Sequence, residues 1–393
     1  MGKNIVLSIV VPTKNRYIYL KYLIDLIAGF KSDEIELVIQ DNSDDNLDFV
    51  SYLDDLSYDF IRYDYIKGQI PMAINSDKAI LNSTGEFVCF LGDDDGTTSF
   101  ILDCAKWMKK NGVEAVKSAQ INYYWPDITQ GTQKTSSSAA IDFLPFTGKV
   151  KYVSPRKELM HVLKEGIPNR GKMPLVYHSI VRRDVLDKVY KKTGSFFPGN
   201  SPDISNAVAL SLVVDKYAII DYPLAFSGWS MYHGGGVHAT GKKGHPEINE
   251  VPWFRSDAES NWDKKIPRIA SGSMIWADSA ISALKNMGMD IFYKEINFSK
   301  LYAQFTLDNP TYSAYVNEVC VDKVSYKYEF VKAYLSKYLN ALLRRIGWVT
   351  GIKTKHRTVN NINNIIEAAS VLEIIAKDLL SPFLTELPKL KDQ

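Results

Sequence analysis

The chain has 393 residues, too many for one compact domain and few for three at ~100–200 residues each. Hydrophobic residues make up 46% and charged residues 23%, an ordinary globular composition that excludes wholesale disorder. The net charge of +2 excludes an overall polyelectrolyte, but it averages two unlike ends: residues 1–110 hold eleven basic and eighteen acidic side chains, and 322–357 hold nine and two.

In chain order, Ile5–Val11 is a continuous apolar run bounded by Pro12, the pattern of a buried strand. Leu20, Leu23, Ile24 and Ile27 then recur at helical spacing until Gly29. Ile35–Ile39 reads as a second strand, followed by a short helix through Leu47, Val50 and Leu53, and Phe60–Tyr65 as a third strand. Ile70–Leu81 carries a helix, Phe87–Leu91 a fully apolar fourth strand, and Trp107 and Met108 another helix before the strand-like Val113–Ile121. This alternation predicts an α/β fold with a Rossmann-like, mostly parallel, doubly wound sheet. Ligands of such sheets bind outside the carboxyl ends of the strands, where the polar clusters after Val11, Ile39 and Leu91 fall.

Residues 125–150 are rich in Thr, Ser and Gly and read as a long loop or flap. A helix is expected near Lys157–Lys164 and strands near Leu175–Val181 and Tyr217–Ile220, then a Gly- and His-rich loop over 231–250. From about residue 268 the pattern is helical, and two domains are expected, 1–250 catalytic and 251–393 a helical extension. Cys89, Cys104 and Cys320 have no C-x-x-C spacing, against a disulfide scaffold and in favour of a reducing compartment. Ile5–Val11 imitates a signal-peptide core, but Pro12–Arg16 follows without a cleavage site. No apolar stretch of about 18 residues occurs, so a soluble, cytoplasmic protein is expected.

The sharpest chemical feature is Phe90-Leu91-Gly92-Asp93-Asp94-Asp95-Gly96. Three successive carboxylates after a buried strand repel one another unless a cation or solvent screens them. A hard divalent cation bound through carboxylates and substrate phosphates would let a nucleotide diphosphate approach. Asp41, ending the second strand, does not start an EF-hand, since position 6 is Asn46 and position 12 is Tyr52. It suits a base edge or a helix N-cap, and Thr13 and Asn15 likewise suit a cap, a ligand contact or both. Pro12–Arg16 lacks the glycines of a P-loop or a dinucleotide turn.

Together, Ser8-Ile9-Val10-Val11-Pro12-Thr13-Lys14-Asn15-Arg16, Glu36-Leu37-Val38-Ile39-Gln40-Asp41-Asn42-Ser43 and Gly85-Glu86-Phe87-Val88-Cys89-Phe90-Leu91-Gly92-Asp93-Asp94-Asp95 resemble family 2 glycosyltransferases of the GT-A fold. The Leu-Gly-Asp-Asp-Asp form resembles the branch that builds bacterial surface polysaccharides of O-antigen or capsule type. The resemblance implies an inverting transfer from a nucleotide-sugar donor to a glycan or lipid-linked acceptor, with Mn²⁺ or Mg²⁺ at the diphosphate. It implies that Pro12, Thr13, Asn15 and Asp41 line the nucleoside pocket, that Asp93 faces the ribose, and that Asp94 or Asp95 holds the metal. The family's usual first carboxylate is Gly92 here, so Asp93-x-Asp95 is an equally literal D-x-D. Pro198-Gly199-Asn200-Ser201-Pro202-Asp203-Ile204 resembles the family's later acidic motif, and the resemblance implies Asp203 as the general base, although Ser201, Pro202 and Asp203 also suit a plain helix start. The resemblance also implies a closing loop with a metal-contacting histidine, His233 here, against the alternative of a loop with solvent-exposed histidines; a zinc site from His233, His238 and His245 lacks standard spacing.

The basic block 322–357 interleaves lysines and arginines with Tyr326, Tyr328, Tyr334, Tyr338 and Trp348. Two readings follow: an amphipathic helix in peripheral contact with an anionic membrane, or a helix packing its tyrosines on Ile365–Leu379 with solvated lysines. No nucleic-acid module accompanies the patch. The rival functions are a non-catalytic glycan-binding or assembly protein on the same scaffold, and a nucleotidyltransferase, which would want a Gly-rich phosphate loop after the first strand.

Overall fold

The computed structural model describes residues 4–128, 138–232, 245–350 and 356–379. The expected alternation is present. Its first half runs β1 (Leu7–Thr13), α1 (Tyr17–Ala28), β2 (Ile35–Asp41), α2 (Leu47–Leu56), β3 (Ile61–Tyr65), α3 (Met72–Leu81) and β4 (Phe87–Phe90). After the carboxylate turn come β5 (Gly96–Thr97), α4 (Phe100–Asn111), β6 (Ala115–Lys117), β7 (Ile121–Tyr124), β8 (Ala140–Phe143) and β9 (Val150–Tyr152). Then follow α5 (Pro155–Lys164), β10 (Ser179–Arg182), α6 (Arg183–Thr193), α7 (Pro202–Val213), β11 (Tyr217–Ile220) and β12 (Ala225–Trp229). Strand β8 lies within the stretch 125–150 expected as a long loop or flap, β9 begins at its end, and Ser227-Gly228-Trp229 closes a strand.

An eight-stranded sheet has the order β3-β2-β1-β4-β10-β6-β11-β9. Its first four strands are parallel, and β10 runs antiparallel to both β4 and β6. Every residue of β2 is buried, and successive residues serve different cores. Val10, Val38 and Val88 face the layer of α5, α6 and α7, while Ile9, Val11, Leu37 and Cys89 face α1 and α4. That two-sided burial is why these strands are continuous apolar runs instead of alternating ones. The register places Thr13 beside Asp41 at the carboxyl ends of β1 and β2, with β4 ending one strand away.

The later helices are α8 (Ala258–Asn261), α9 (Gly272–Asn286), α10 (Phe298–Asp308), α11 (Ser313–Val319), α12 (Lys323–Thr350) and, after β13 (Arg357–Asn360), α13 (Ile365–Ala376). Helix α9 packs on α7 and extends its core, and α12 packs along α10. The end of the described chain returns to the first domain. Strand β13 pairs antiparallel with β8 in a five-stranded sheet of order β13-β8-β7-β12-β5. Helix α13 buries Ile365, Ala368 and Leu372 in the same core as α1. The expectation that α13 offers its apolar face to the tyrosines of α12 is therefore corrected: α1 and its neighbours already cover that face, and Tyr334 and Tyr338 are exposed. Among the described residues, no helix is long and apolar enough to cross a membrane.

Leu372 is completely buried. Leu372→Ala is expected to destabilise the protein by about 2–5 kcal/mol, the range for deleting a buried leucine side chain, read from urea unfolding. An effect under about 0.5 kcal/mol would mean that α13 is not part of the first domain's core.

Candidate active site

The turn after β4 buries all three of its carboxylates, with Asp93 and Asp95 fully enclosed. Each has a different solution to its charge. Asp93 accepts from Thr13 Oγ1 at 2.7 Å and is gripped by Arg16, whose Nη2 lies 2.8 Å from Oδ1 and whose Nε donates to Oδ2 at 3.1 Å. Burial, aided by Asp94, pushes the Asp93 carboxyl up, and Arg16 and Thr13 pull against it. Burial opposes the Arg16 charge too, but Asp93 and Asp94 outweigh it and raise its pKa above the usual arginine value.

Asp94 accepts from Ser230 Oγ at 2.6 Å, and the Nη1 of Arg16 is 3.6 Å from its Oδ2. Its carbonyl accepts from the indole of Trp125 at 2.8 Å. Asp95 points elsewhere. Its carboxylate accepts from the amides of Gly92 and Gly228 and lies 2.7 Å from His178 Nε2. Burial opposes its charge, yet His178 and those amides prevail and hold the carboxyl below the usual range. His178 itself sits in the left-handed region at φ 56°, anchored by its amide to the carbonyl of Phe90.

The same geometry accounts for glycine at position 92. A Cβ there would stand 2.9 Å from Asp95 Oδ2 and 3.2 Å from Asp94 Oδ1. A carboxylate at 92 would have to displace the one that Asp95 folds back onto the turn.

Asp41 is fully buried at the end of β2 and accepts from Tyr17 and Tyr63 hydroxyls at 2.6 and 2.7 Å and from the Ser43 amide at 2.8 Å. Burial first, and the Asp41 hydrogen bonds second, push both phenols up, so they remain donors. Asp41 does not cap α2, which starts after Asn46, nor do Thr13 and Asn15 cap α1. Asn15, at φ 59°, ties the β1–α1 loop to the next one through Asp44 and Ser43, with Pro12 half-buried behind it.

Asp203 lies in the first turn of α7, where Pro202 starts the helix and the Ser201 side chain makes no cap. Its carboxylate is about one-third exposed and receives Arg170 Nη1 at 3.0 Å; that guanidinium also stands over the Trp276 ring, 5.7 Å from its centroid. Tyr177 is half-buried against Phe90 and His178, and desolvation first, then Asp95, Asp203 and Asp94, raise its pKa. Thus the structure brings Thr13, Asp93, Asp94 and Asp95 together, with Asp41 on the neighbouring strand and Asp203 held by Arg170 at the start of α7.

His233 and His238 lie outside the described residues. His245 is engaged by Asn309 at 3.1 Å and Tyr312 at 2.9 Å, among the later helices. Among the described residues no group of three His, Cys, Asp or Glu side chains forms a metal cage. The donor set instead fits an ion that takes one or two carboxylates and completes its shell from phosphates and water. Sequence reasoning gave no role to Arg16, His178, Arg170 or Ser230. Only Arg16 had a signal, its place in the first motif.

Residues 8–188 match the family model described as Glycosyl transferase family 2. That segment is a glycosyltransferase domain. It spans β1 to α6 and contains the whole carboxylate turn, and the architecture is the GT-A fold. No curated protein matches the sequence. Among solved structures, the chain is similar to Staphylococcus aureus TarS 1–349 in complex with UDP-GlcNAc, at 14% identity over 84% of this chain and 89% of that one, TM-score 0.46. It spans 37% of the longer S. aureus TarS structure. It is also similar to the Pyrobaculum calidifontis mannosyltransferase PcManGT in complex with GDP-Man and Mn²⁺, at 14% identity over 83% and 86% of the two chains, TM-score 0.37.

One close approach holds the turn in place. A Cβ on Gly228 would sit 1.7 Å from the carbonyl oxygen of Asp94. Gly228→Ala is therefore expected to cost about 1–3 kcal/mol or more in urea unfolding and to lose transfer activity. A variant as stable and active as the wild type would show that β12 does not support the turn.

Proposed function

We propose that the chain is an inverting, metal-dependent glycosyltransferase that moves a sugar from a nucleotide-sugar donor to a hydroxyl of a glycan or lipid-linked acceptor in bacterial cell-surface polysaccharide biosynthesis. The observation that carries this reading is the buried, unequally compensated carboxylate turn Asp93–Asp95, where Arg16, Ser230 and His178 each engage a different carboxylate. Its location at the carboxyl ends of β1, β2 and β4 is where doubly wound sheets bind ligands.

The residues divide the work. Thr13, Asn15 and Asp41 shape the nucleoside side, with Pro12 in the wall and Asp93 toward the ribose. Asp94, beside Ser230, is the carboxylate for Mn²⁺ or Mg²⁺, with His233 the further ligand carried by the family resemblance. When bound, the ion supplies Lewis-acid neutralisation of the leaving diphosphate. Arg16 adds a fixed positive charge beside the same carboxylates. Asp95 is assigned a supporting role in place of ligation, since His178 and two backbone amides engage its carboxylate.

Asp203 takes the proton of the acceptor hydroxyl as that oxygen attacks the anomeric carbon opposite the departing nucleotide. Arg170 orients it from one side, and its partial exposure leaves an approach for the acceptor. Residues 251–393 form the acceptor-facing extension in this reading, and a lipid-linked acceptor places the enzyme at the inner face of the cell membrane.

Asp203→Asn is expected to lower kcat by about 10²–10⁴ while leaving nucleotide affinity within about twofold, measured by turnover and calorimetry. Retention of transfer within about tenfold would remove Asp203 as the base. In a thermal-shift panel of nucleotide sugars, one donor is expected to stabilise the protein with Mn²⁺ and to lose most of that effect with a chelator or in Asp94→Asn. No response to any nucleotide diphosphate would count against donor binding altogether.

A further inference from the structure

Helix α12 presents an apolar stripe to solvent. Val324, Tyr328, Val331, Leu335, Tyr338 and Leu342 follow one another at intervals of four and three, and each is 54–80% exposed. At ~1.5 Å per residue the stripe is about 27 Å long, and its spacing keeps it on one side of the helix. The opposite side is the one that packs. Tyr326 joins the core beneath, Glu329 is turned inward toward Asn297 at 3.4 Å, and Lys337 reaches Asp308 on α10 at 2.9 Å. The helix is therefore held with its apolar side outward.

Charge identifies the occupant. Lys323, Lys327 and Lys332 are exposed on α12, and the helix's one carboxylate, Glu329, is turned inward, 4.0 Å from Lys332. At about 100° per residue, Lys327 and Lys332 fall on opposite edges of the stripe. A second copy docking here would set Lys327 and Lys332 against their own counterparts, since the one carboxylate of α12, Glu329, faces Asn297 on the packed side. An anionic surface would meet both properties at once. The tyrosines suit it as well, since each offers an apolar ring and a polar tip at a water–hydrocarbon boundary.

We infer that α12 is a membrane-docking helix, lying on an anionic phospholipid bilayer with Val324–Leu342 in the interface and its lysines at the headgroups. The surface gives a location to the membrane contact expected from sequence. Docking does not depend on sugar transfer, so the two readings fail separately.

The test is co-sedimentation of the full chain with phosphatidylcholine vesicles, with and without about 30% phosphatidylglycerol, at about 50 mM and about 500 mM salt. The wild type is expected to sediment with the anionic vesicles and to bind at least about tenfold more weakly in high salt. Val331→Ser/Leu335→Ser/Leu342→Ser and, separately, Lys327→Glu/Lys332→Glu should each weaken binding about tenfold or more while keeping the wild-type circular dichroism and melting point. An Asp94→Asn variant, impaired in the proposed metal site, should still sediment. Absence of binding to anionic vesicles, or undiminished binding by both α12 variants, overturns the inference. So does a dimer in analytical ultracentrifugation that the triple serine variant dissolves without any vesicle binding.

Discussion

Three carboxylates buried in succession at the end of β4 constrain the rest of the domain. Unscreened, such a turn would be driven apart or forced to take up protons. Here each carboxylate is given its own compensation: a guanidinium for Asp93, a hydroxyl for Asp94, and an imidazole with two amides for Asp95. The inequality is what makes the turn useful. Asp95 is committed to holding the backbone, Asp93 to Arg16, and Asp94 stands between a hydroxyl and the outer arm of the same arginine.

Compensation of that kind needs neighbours at close quarters, and the topology supplies them. Strand β10 enters the sheet antiparallel beside β4, so the segment just before it delivers Tyr177 and His178 to the turn. Strand β12 crosses under it, where only a glycine admits the Asp94 carbonyl, and Trp125 from the end of β7 donates to that same carbonyl. The two sheets meet at the turn. The left-handed backbone of His178 and the close approach at Gly228 are local costs that this convergence outweighs.

The helical extension is divided between two surfaces. Helix α13 spends its apolar face on α1 and so closes the first domain, whereas α12 covers α10 with one side and leaves the other apolar. A chain with net charge near zero thereby carries a buried acidic centre and an exposed basic helix.

The sequence by itself determined the fold class and marked the carboxylate turn as its anomalous feature. Continuous β-branched runs such as Leu7–Val11, alternating with helices of regular apolar spacing, are local properties, and a doubly wound sheet is what buries both faces of such strands. Gly92–Asp95 was equally legible, because a carboxylate run directly after a buried strand is anomalous wherever it occurs. Its partners were not. Arg16 and Ser230 reach the turn from 77 and 136 residues away, and Arg170 reaches Asp203 from a loop with no motif. For α12 the periodicity showed that an apolar face exists, but not what lies against it; that α13 was already engaged with α1 was decided by packing. Local pattern fixes which groups must be compensated, and only the tertiary structure decides which groups do so, since hydrogen bonds and ion pairs form between neighbours in space and not in sequence.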